Sequence, residues 1–274
     1  MILEALNEIM IKAGLNKTRT MEELAFSCID LTTLNATDTR SHVQAFVARV
    51  NDFGNDYPSL PNVAAICVYP NMVQSVKEVL NQDKVKIAAV AGGFPSSMTF
   101  IGLKVEEAKM AVELGADEID IVLPLWAFME GDLITCREEI GTIRKAIGEA
   151  HLKVILETGI LAEPERIYKA SMLAMESGAD FIKTSTGKVS PAATPEAALV
   201  MCHAIRDYYQ RTGRQVGFKP AGGIATTTDA ILYLTIVKEI LGEKWMNPES
   251  FRIGASRLAN HLLGDILDEE ISYF

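Results

Sequence analysis

The sequence predicts a (β/α)8 barrel, also called a TIM barrel, and three observations support this fold class. Eight short apolar runs alternate with amphipathic stretches of helical spacing from one end of the chain to the other. The length of 274 residues suits one large α/β domain. The 19 glycines and 10 prolines are scattered singly, so no linker is visible. Eight strand–helix units within one domain of this length favour a closed barrel over an open sheet.

The predicted strands are short apolar runs bounded by turn residues or by changes of periodicity. In chain order they cover residues 26–31, 62–69, 85–91, 118–123, 152–158, 180–185, 216–221 and 251–256. The predicted helices between them cover residues 41–50, 71–80, 102–115, 134–150, 164–178, 195–209 and 227–242. Several of these helices open with proline or a hydroxyl residue and close on glycine.

The domain organisation follows from these elements. The first fifteen residues form an amphipathic pattern and predict an extra helix that closes the bottom of the barrel or packs on its side. We therefore expect a single domain over residues 1–274, with an N-terminal helix in 1–24, the barrel in 25–260 and a C-terminal tail in 261–274.

Composition excludes several classes of function. The net charge of −10 disfavours nucleic acids and anionic membrane surfaces as partners. The first fifteen residues carry Glu4 and Glu8, unlike a signal peptide, and no apolar run approaches the length of a membrane span. The four cysteines and four histidines are scattered without metal-ligand spacing. We expect a cytoplasmic protein without metal or disulfide.

Two lysines lie inside predicted buried strands, Lys183 in GADFIKTSTGK and Lys219 in VGFKPAGG. Burial of an unpaired ammonium group costs several kcal/mol or lowers its pKa. A neutral lysine is a nucleophile toward carbonyl groups, and a second lysine on the adjacent strand helps to keep it neutral by repulsion. The pair predicts Schiff-base chemistry. The alternatives are an ion pair of one lysine with Asp120 or Asp30, or lysines that extend to solvent at the strand ends.

A short internal repeat, LGADEID and SGADFIK, supports the positions assigned to two of the predicted strands. It aligns Gly115 with Gly178, and we expect each glycine to end a helix in the left-handed conformation. The same alignment gives Asp120 and Lys183 equivalent positions on strands four and six. Alternate strands fill the same interior layer of such a barrel, so these side chains are expected to face each other.

Three further candidate residues lie within predicted strands. Asp30 and Asp120 are acids within apolar runs, candidates for proton transfer or for positioning a lysine. Cys67 points into the site in the register assigned to strand two; the alternative, which is the more common role of a cysteine inside a strand, is that of a small buried hydrophobic residue.

Glycine-rich segments follow the last three strands: TSTGK, AGGI and GAS. Small residues there let backbone N–H groups approach an anion, and Lys188 adds a positive charge. Barrels of this class commonly bind phosphate at this position. The three segments together predict a phosphate site.

At these residues the chain closely resembles the deoxyribose-phosphate aldolase family of class I aldolases. The segments that carry the resemblance are DLTTLN, NVAAICVYP, GADEIDIVLP, KVILETG, GADFIKTSTGK, GFKPAGGI and FRIGAS. They span the whole predicted barrel. The resemblance implies reversible cleavage of 2-deoxy-D-ribose 5-phosphate to D-glyceraldehyde 3-phosphate and acetaldehyde, with no metal or organic cofactor.

The resemblance also implies roles for individual residues. Lys183 is the expected Schiff-base lysine, Lys219 lowers its pKa, and Asp120 shares proton transfer with support from Asp30. The expected substrate-binding residues are Thr32, Cys67, Gly187, Lys188, Gly222, Gly223, Gly254 and Ser256. The resemblance further implies a homo-oligomer, either dimer or tetramer, that acts in deoxyribose phosphate catabolism.

The chain departs from the family pattern at two places. Many relatives carry arginine where this chain has Ala225, and this chain has Arg257 after the GAS segment, which we interpret as compensation. Some members use a C-terminal tyrosine over the site, whereas here Tyr273 is followed by Phe274. Lysine chemistry and phosphate loops alone leave two alternatives: a Schiff-base aldolase for another phosphosugar, and a phosphosugar-binding barrel without catalysis.

Overall fold

The centre of the protein is a parallel sheet of eight strands. The computed structural model describes residues 2–274, with side chains from residue 4 onward. The strands are β1 (Ile29–Thr32), β2 (Ala65–Val68), β3 (Lys86–Val90), β4 (Glu118–Val122), β5 (His151–Ile155), β6 (Phe181–Lys183), β7 (Gly217–Lys219) and β8 (Ile253–Ala255).

The sheet closes on itself. Neighbouring strands pair in the order β7-β6-β5-β4-β3-β2-β1-β8. Two isolated parallel bridges, Phe218 with Phe251 and Ala221 with Gly254, join β7 to the β8 segment. The predicted (β/α)8 barrel is therefore confirmed, and the carboxyl ends of all eight strands meet at one mouth.

Helices surround the sheet. They are α1 (Ile2–Asn16), α2 (Arg19–Ser27), α3 (Arg40–Asp56), α4 (Val73–Lys77), α5 (Ile101–Glu113), α6 (Leu125–Glu130), α7 (Leu133–Ala146), α8 (Thr158–Leu161), α9 (Pro164–Glu176), α10 (Pro195–Thr212), α11 (Thr227–Leu241) and α12 (Leu258–Leu267). Short 3-10 turns cover Pro70–Met72 and Glu243–Trp245.

Local sequence explains where several helices begin and end. The Thr194 side chain accepts a hydrogen bond from the Ala197 N–H at the start of α10. Thr226 and Asp229 form a reciprocal capping box at the start of α11. Gly115 and Gly178 have φ angles of 109° and 104°, which confirms the predicted left-handed conformation after α5 and α9.

Both ends of the chain differ from the sequence expectation. The N-terminal region contains two helices rather than one, because Thr18 caps a second helix through the Met21 N–H. Of these two, α1 packs on the side of the barrel against α10 and α11. The region expected as a tail over 261–274 begins with most of α12, whose buried apolar residues recur with helical spacing.

The last two residues pack against α3 and α12, and neither lines the mouth cavity. Tyr273 and Phe274 pack on Phe53, which lies near the end of α3, with ring centroids 5.7 Å away in both cases. Helix α3 starts near the mouth end of β1 and runs back toward the start of β2. Asn260 Oδ1 accepts hydrogen bonds from the N–H groups of Tyr273 and Phe274, each at 2.9 Å. Tyr273 is thus held away from the mouth.

The barrel interior has two chemically different sides. Between β2 and β3 it is small and apolar, with Ala65, Cys67, Ala88 and Val90 packed beside Leu34. The remaining strands contribute charged side chains to the interior, and these form the candidate site.

Candidate active site

Seven charged side chains are buried inside the barrel, and they come from β1, β4, β5, β6, β7 and the residue before β8. They are the carboxylates Asp30, Glu118 and Asp120 and the cations Lys153, Lys183, Lys219 and Arg252. Charged groups this deeply buried require partners, so the contacts between them determine their ionisation.

Asp120 lies at the centre of this group and accepts hydrogen bonds from three lysines. Its Oδ2 accepts from Lys183 Nζ and from Lys219 Nζ, each at 2.8 Å. Its Oδ1 accepts from Lys153 Nζ at 3.0 Å. The predicted approach of Asp120 to Lys183 is confirmed, and Lys183 and Lys219 bind the same oxygen atom.

A second set of contacts lies deeper in the barrel. Arg252 donates to Asp30 Oδ1 at 2.6 Å and to Glu118 Oε1 at 2.8 Å. Lys153 Nζ lies 2.5 Å from Glu118 Oε2, and Lys219 Nζ lies 2.5 Å from Asp30 Oδ2. Asp30 therefore contacts Lys219 through one carboxylate oxygen and Arg252 through the other.

The pKa of Lys183 is lowered, whereas the pKa of Lys219 is raised. Burial lowers the pKa of Lys183; the charge of Lys219 adds to this effect, while Asp120 opposes it. Burial alone would also lower the pKa of Lys219, but Asp120 and Asp30 outweigh it and raise that pKa. Lys219 is therefore a permanent ammonium group and Lys183 is the lysine that can be neutral.

The carboxylates and the other cations are charged. Burial favours the neutral form of Asp120, but Lys153, Lys183 and Lys219 hold its pKa well below its usual range. Asp30 and Glu118 likewise have lowered pKa values, because nearby cations overcome the effect of burial. The pKa of Lys153 is raised by carboxylates against the opposing effect of burial.

A charge count gives the same assignment. The seven side chains comprise four cations and three carboxylates, so full ionisation would leave one unbalanced positive charge in a low-dielectric interior. Neutral Lys183 removes this imbalance. Among the seven, Lys183 alone lines the mouth cavity, where a substrate can reach it.

Glycines create the space that these long side chains occupy. A Cβ atom on Gly217 would lie 2.3 Å from the Phe181 ring on the neighbouring strand. A Cβ atom on Gly254 would lie 2.8 Å from Ala221 Cβ and 3.2 Å from Lys219 Cε. Larger residues at these two positions would displace the stem of Lys219 or the ring beside it.

The mouth holds a cavity of about 320 Å3. Its lining residues come mainly from β1 and from the loops after β6, β7 and β8; they are Thr32, Leu34, Asn35, Lys183, Thr186, Gly187, Lys188, Ala221, Gly222, Gly223, Ile224, Ala225, Gly254, Ala255, Ser256 and Arg257. Lys188 and Arg257 place positive charge in this lining, and none of the lining residues is a carboxylate. The cavity is therefore suited to an anionic ligand.

Backbone groups strengthen this preference. Gly187, Gly222 and Gly223 have φ angles of 75°, 83° and 80°, which are left-handed values suited to glycine. Within residues 2–274, the N–H groups of Gly187, Gly222 and Gly223 donate to no protein acceptor. Helix α12 starts beside them without a side-chain cap. Such unused N–H groups bind phosphate oxygens in other barrels.

The predicted site residues fall into two groups. The cavity contains Thr32, Lys183, Gly187, Lys188, Gly222, Gly223, Gly254 and Ser256. The other four, Asp30, Cys67, Asp120 and Lys219, are fully buried beneath or beside it and do not line it. Burial raises the pKa of the Cys67 thiol, so Cys67 is a neutral buried residue beside the cavity.

Sequence reasoning missed Lys153, Glu118 and Arg252. Each lies in a segment already identified as a strand, in LKVILET, EIDIVL and FRIGAS. A charged residue inside an apolar run is the same signal that identified Lys183, and applied uniformly it would have found all three.

The part of the chain that the structure describes contains neither a group of metal-ligand side chains nor a membrane-spanning helix. No three or more His, Cys, Asp or Glu side chains are grouped as metal ligands. None of the described helices has the length and apolar character needed to cross a membrane.

Comparison with known proteins gives consistent results. A model of the DeoC/LacD family of aldolases matches residues 24–241. Deoxyribose-phosphate aldolase of Bos taurus is 46% identical over 244 residues, covering 85% of this chain and 77% of the bovine protein. Deoxyribose-phosphate aldolase of Homo sapiens is 44% identical over 248 residues, covering 87% of this chain and 78% of the human protein. The tetrameric deoxyribose phosphate aldolase from Aeropyrum pernix has a TM-score of 0.73 at 25% identity, covering 94% of this chain and 97% of that one.

Proposed function

This chain belongs to the DeoC/LacD family of aldolases, and we propose that it reversibly cleaves 2-deoxy-D-ribose 5-phosphate to D-glyceraldehyde 3-phosphate and acetaldehyde. Its bovine and human relatives are deoxyribose-phosphate aldolases. One observation carries the proposal: Lys183 has a lowered pKa and faces the mouth cavity, with Asp120 and Lys219 in contact behind it.

The first step is imine formation. The neutral amine of Lys183 attacks the aldehyde carbon of the open-chain sugar, and uptake of one proton from solvent with loss of water gives a protonated imine. Asp120 Oδ2, 2.8 Å from Lys183 Nζ, accepts the proton of the attacking amine and returns it to the departing hydroxyl. Because neighbouring lysines hold the pKa of Asp120 well below its usual range, Asp120 passes protons on and does not store them.

Carbon–carbon cleavage follows. The C3 hydroxyl loses its proton, the C2–C3 bond breaks, and its electron pair forms the C1–C2 double bond of an enamine while the imine nitrogen becomes neutral. Glyceraldehyde 3-phosphate leaves. Protonation of the enamine carbon and addition of water then release acetaldehyde and regenerate Lys183.

The other catalytic residues act on the ionisation of Lys183. Lys219 remains charged and disfavours a second ammonium group beside it. Asp30 holds Lys219 at 2.5 Å and so keeps that charge in place. Thr32 lines the cavity on the side of β1, and Cys67 is fully buried beside the cavity.

The phosphate group occupies the cationic end of the cavity. Its proposed ligands are backbone and side-chain groups of Gly187, Lys188, Gly222, Gly223, Gly254 and Ser256, all of which line the cavity. Arg257 lies in the same wall and makes no ion pair among the residues that the structure describes, so its guanidinium group is available to the phosphate.

Assembly and location extend the proposal. The Aeropyrum pernix relative is a tetramer, and the α5 region of this chain exposes Phe100, Leu103 and Met110. We infer a homo-oligomer, dimer or tetramer, without metal or organic cofactor. The four cysteines are free thiols, in keeping with a reducing cytoplasm and a role in deoxyribose phosphate catabolism.

Trapping of the imine tests the mechanism. The protein is incubated with acetaldehyde and reduced with borohydride, and peptide mass spectrometry locates any added ethyl group. We expect the adduct on Lys183 and its loss in Lys183→Ala, while Lys104→Ala, a buried lysine outside the barrel interior, retains it. Absence of an adduct in folded protein would contradict the proposal. Cleavage rates for deoxyribose 5-phosphate and for fructose phosphates then decide the substrate.

A further inference from the structure

Glu157, which follows β5, carries a carboxylate in an unusual position. Its side chain is buried, with 2% of the residue exposed, and it forms no ion pair with any residue that the structure describes. Its φ angle is 54°, a left-handed value that residues with a side chain rarely adopt. Backbone strain of this kind persists where surrounding contacts impose it, and it is concentrated at functional sites.

Both oxygen atoms of Glu157 are bound by one residue, Thr186, in the loop after β6. Oε1 accepts a hydrogen bond from the Thr186 N–H at 3.1 Å. Oε2 accepts from the Thr186 hydroxyl at 2.6 Å. Since the hydroxyl donates its hydrogen to Glu157, its oxygen is left to accept, and it accepts from the Lys188 N–H at 3.0 Å.

These contacts fix the turn formed by Thr186, Gly187 and Lys188. Gly187 has a φ angle of 75°, and its N–H donates to no acceptor among the described residues. Lys188 Nζ reaches across the mouth to the Leu34 carbonyl oxygen at 2.6 Å. All three residues of the turn line the cavity that contains Lys183.

We propose that Glu157 is a positioning residue whose buried carboxylate holds the Thr186–Lys188 turn in the shape that receives the substrate phosphate. It acts through Thr186 and does not touch the reacting atoms. This inference rests on the proposed function, because it assumes that a phosphorylated sugar enters the cavity with its phosphate at this turn. A preformed turn binds the phosphate without first losing conformational freedom.

The requirement for a carboxylate follows from the hydrogen-bond inventory. Thr186 offers two donors, and only a carboxylate accepts both. In Glu157→Gln, one acceptor becomes an NH2 donor, so the Thr186 hydroxyl loses its acceptor and the turn loses a charge-assisted hydrogen bond. The substitution changes almost nothing in size.

The experiment compares two substrates with the same reacting atoms, deoxyribose 5-phosphate and free deoxyribose. For Glu157→Gln, we expect KM for the phosphorylated sugar to rise roughly tenfold, the size expected for loss of one charge-assisted hydrogen bond. We expect kcat/KM for free deoxyribose and the acetaldehyde adduct on Lys183 to stay at the wild-type level. The exposed Glu163→Gln serves as the matched control and leaves all three values unchanged.

Thr186→Val provides a second route to the same result, because it removes the hydroxyl at the other end of the contact. It should reproduce the phosphate-dependent loss if Glu157→Gln does not fold. An equal loss for both sugars, or no loss for either, would overturn the inference. A wild-type protein that forms no adduct with acetaldehyde would instead refute the proposed function, so the two failures are distinguishable.

Discussion

Replacement of Lys219 by methionine tests the source of the reactivity of Lys183. Methionine keeps an unbranched side chain of similar length, so the space beside Gly254 remains filled while the charge is removed. Lys183 and Lys219 both bind Asp120 Oδ2 at 2.8 Å, so their nitrogens lie within the sum of these two contacts. Removal of the Lys219 charge therefore affects the ionisation of Lys183 at short range.

The magnitude follows from Coulomb's law. Two unit charges about 5 Å apart repel by roughly 3 kcal/mol at an effective dielectric constant of 20. This energy corresponds to a change on the order of 100-fold in the neutral fraction of Lys183 at neutral pH. Loss of Lys219 also leaves Asp120 with one cation fewer, which further favours the charged form of Lys183.

The assay is the rate of imine formation with acetaldehyde as a function of pH. Only the neutral amine reacts, so the rate rises with pH until the amine is fully deprotonated. We expect Lys219→Met to move this rising limb to higher pH, with a loss on the order of 100-fold at pH 7 and recovery in alkali. The buried Lys104, which binds Glu139 at 2.7 Å outside the barrel interior, supplies the control Lys104→Met.

Three outcomes are informative. If Lys219→Met shifts the rising part of the pH–rate profile and Lys104→Met does not, the result supports electrostatic control of the Lys183 pKa. An unshifted limb would refute the reasoning. A rate that stays low at every pH in a folded variant would show that Lys219 takes part in the chemistry itself and does more than set a pKa.

Three further predictions concern the rest of the molecule. Arg257→Ala should raise KM for deoxyribose 5-phosphate about fivefold at low salt, as expected for an exposed charge pair, and an unchanged KM would show that Arg257 does not compensate for Ala225. Deletion of Tyr273 and Phe274 should lower the melting temperature but leave kcat unchanged, since they contact α3 and α12 and neither lines the mouth cavity; a loss of kcat measured well below the melting temperature would contradict this. Urea midpoints should be constant near neutral pH and fall below about pH 4, because carboxylates with lowered folded pKa values stabilise the protein above their unfolded pKa values and lose this contribution on protonation. The carboxylates concerned are Asp30, Glu118 and Asp120, and a midpoint that stays constant to pH 3 would count against this.

Most of the fold was predictable because its signals are local. Each strand is a short apolar run, and helix ends are marked by capping residues such as Thr194 or by left-handed glycines such as Gly178. The ends of the chain were harder. Thr18 starts a new helix through one hydrogen bond, and the position of Tyr273 depends on Asn260 and Phe53, which are distant in sequence.

The approach of Asp120 to Lys183 was predictable from the sequence, but the rest of the pairing in the site was not. Lys183, Lys219 and Asp120 were identifiable as charges inside apolar runs. Which carboxylate binds which cation depends on the register between strands, for example Asp120 opposite Lys153, and sequence alone does not give that register. Likewise, no sequence pattern predicts the left-handed backbone conformation of Glu157.

Reactivity and phosphate binding depend on different interactions at the two ends of the cavity. At the closed end, the six other buried charged side chains set the ionisation of Lys183, so reactivity there depends on electrostatic balance within the barrel. At the open end, glycine turns and the hydrogen bonds of Glu157 set the direction of N–H groups, so binding there depends on backbone shape. Glu157 makes no ion pair with any of the seven charges within the described residues. Changes at Glu157 should therefore alter phosphate binding without altering the acidity of Lys183, whereas changes at Lys219 should alter that acidity for phosphorylated and free substrates alike.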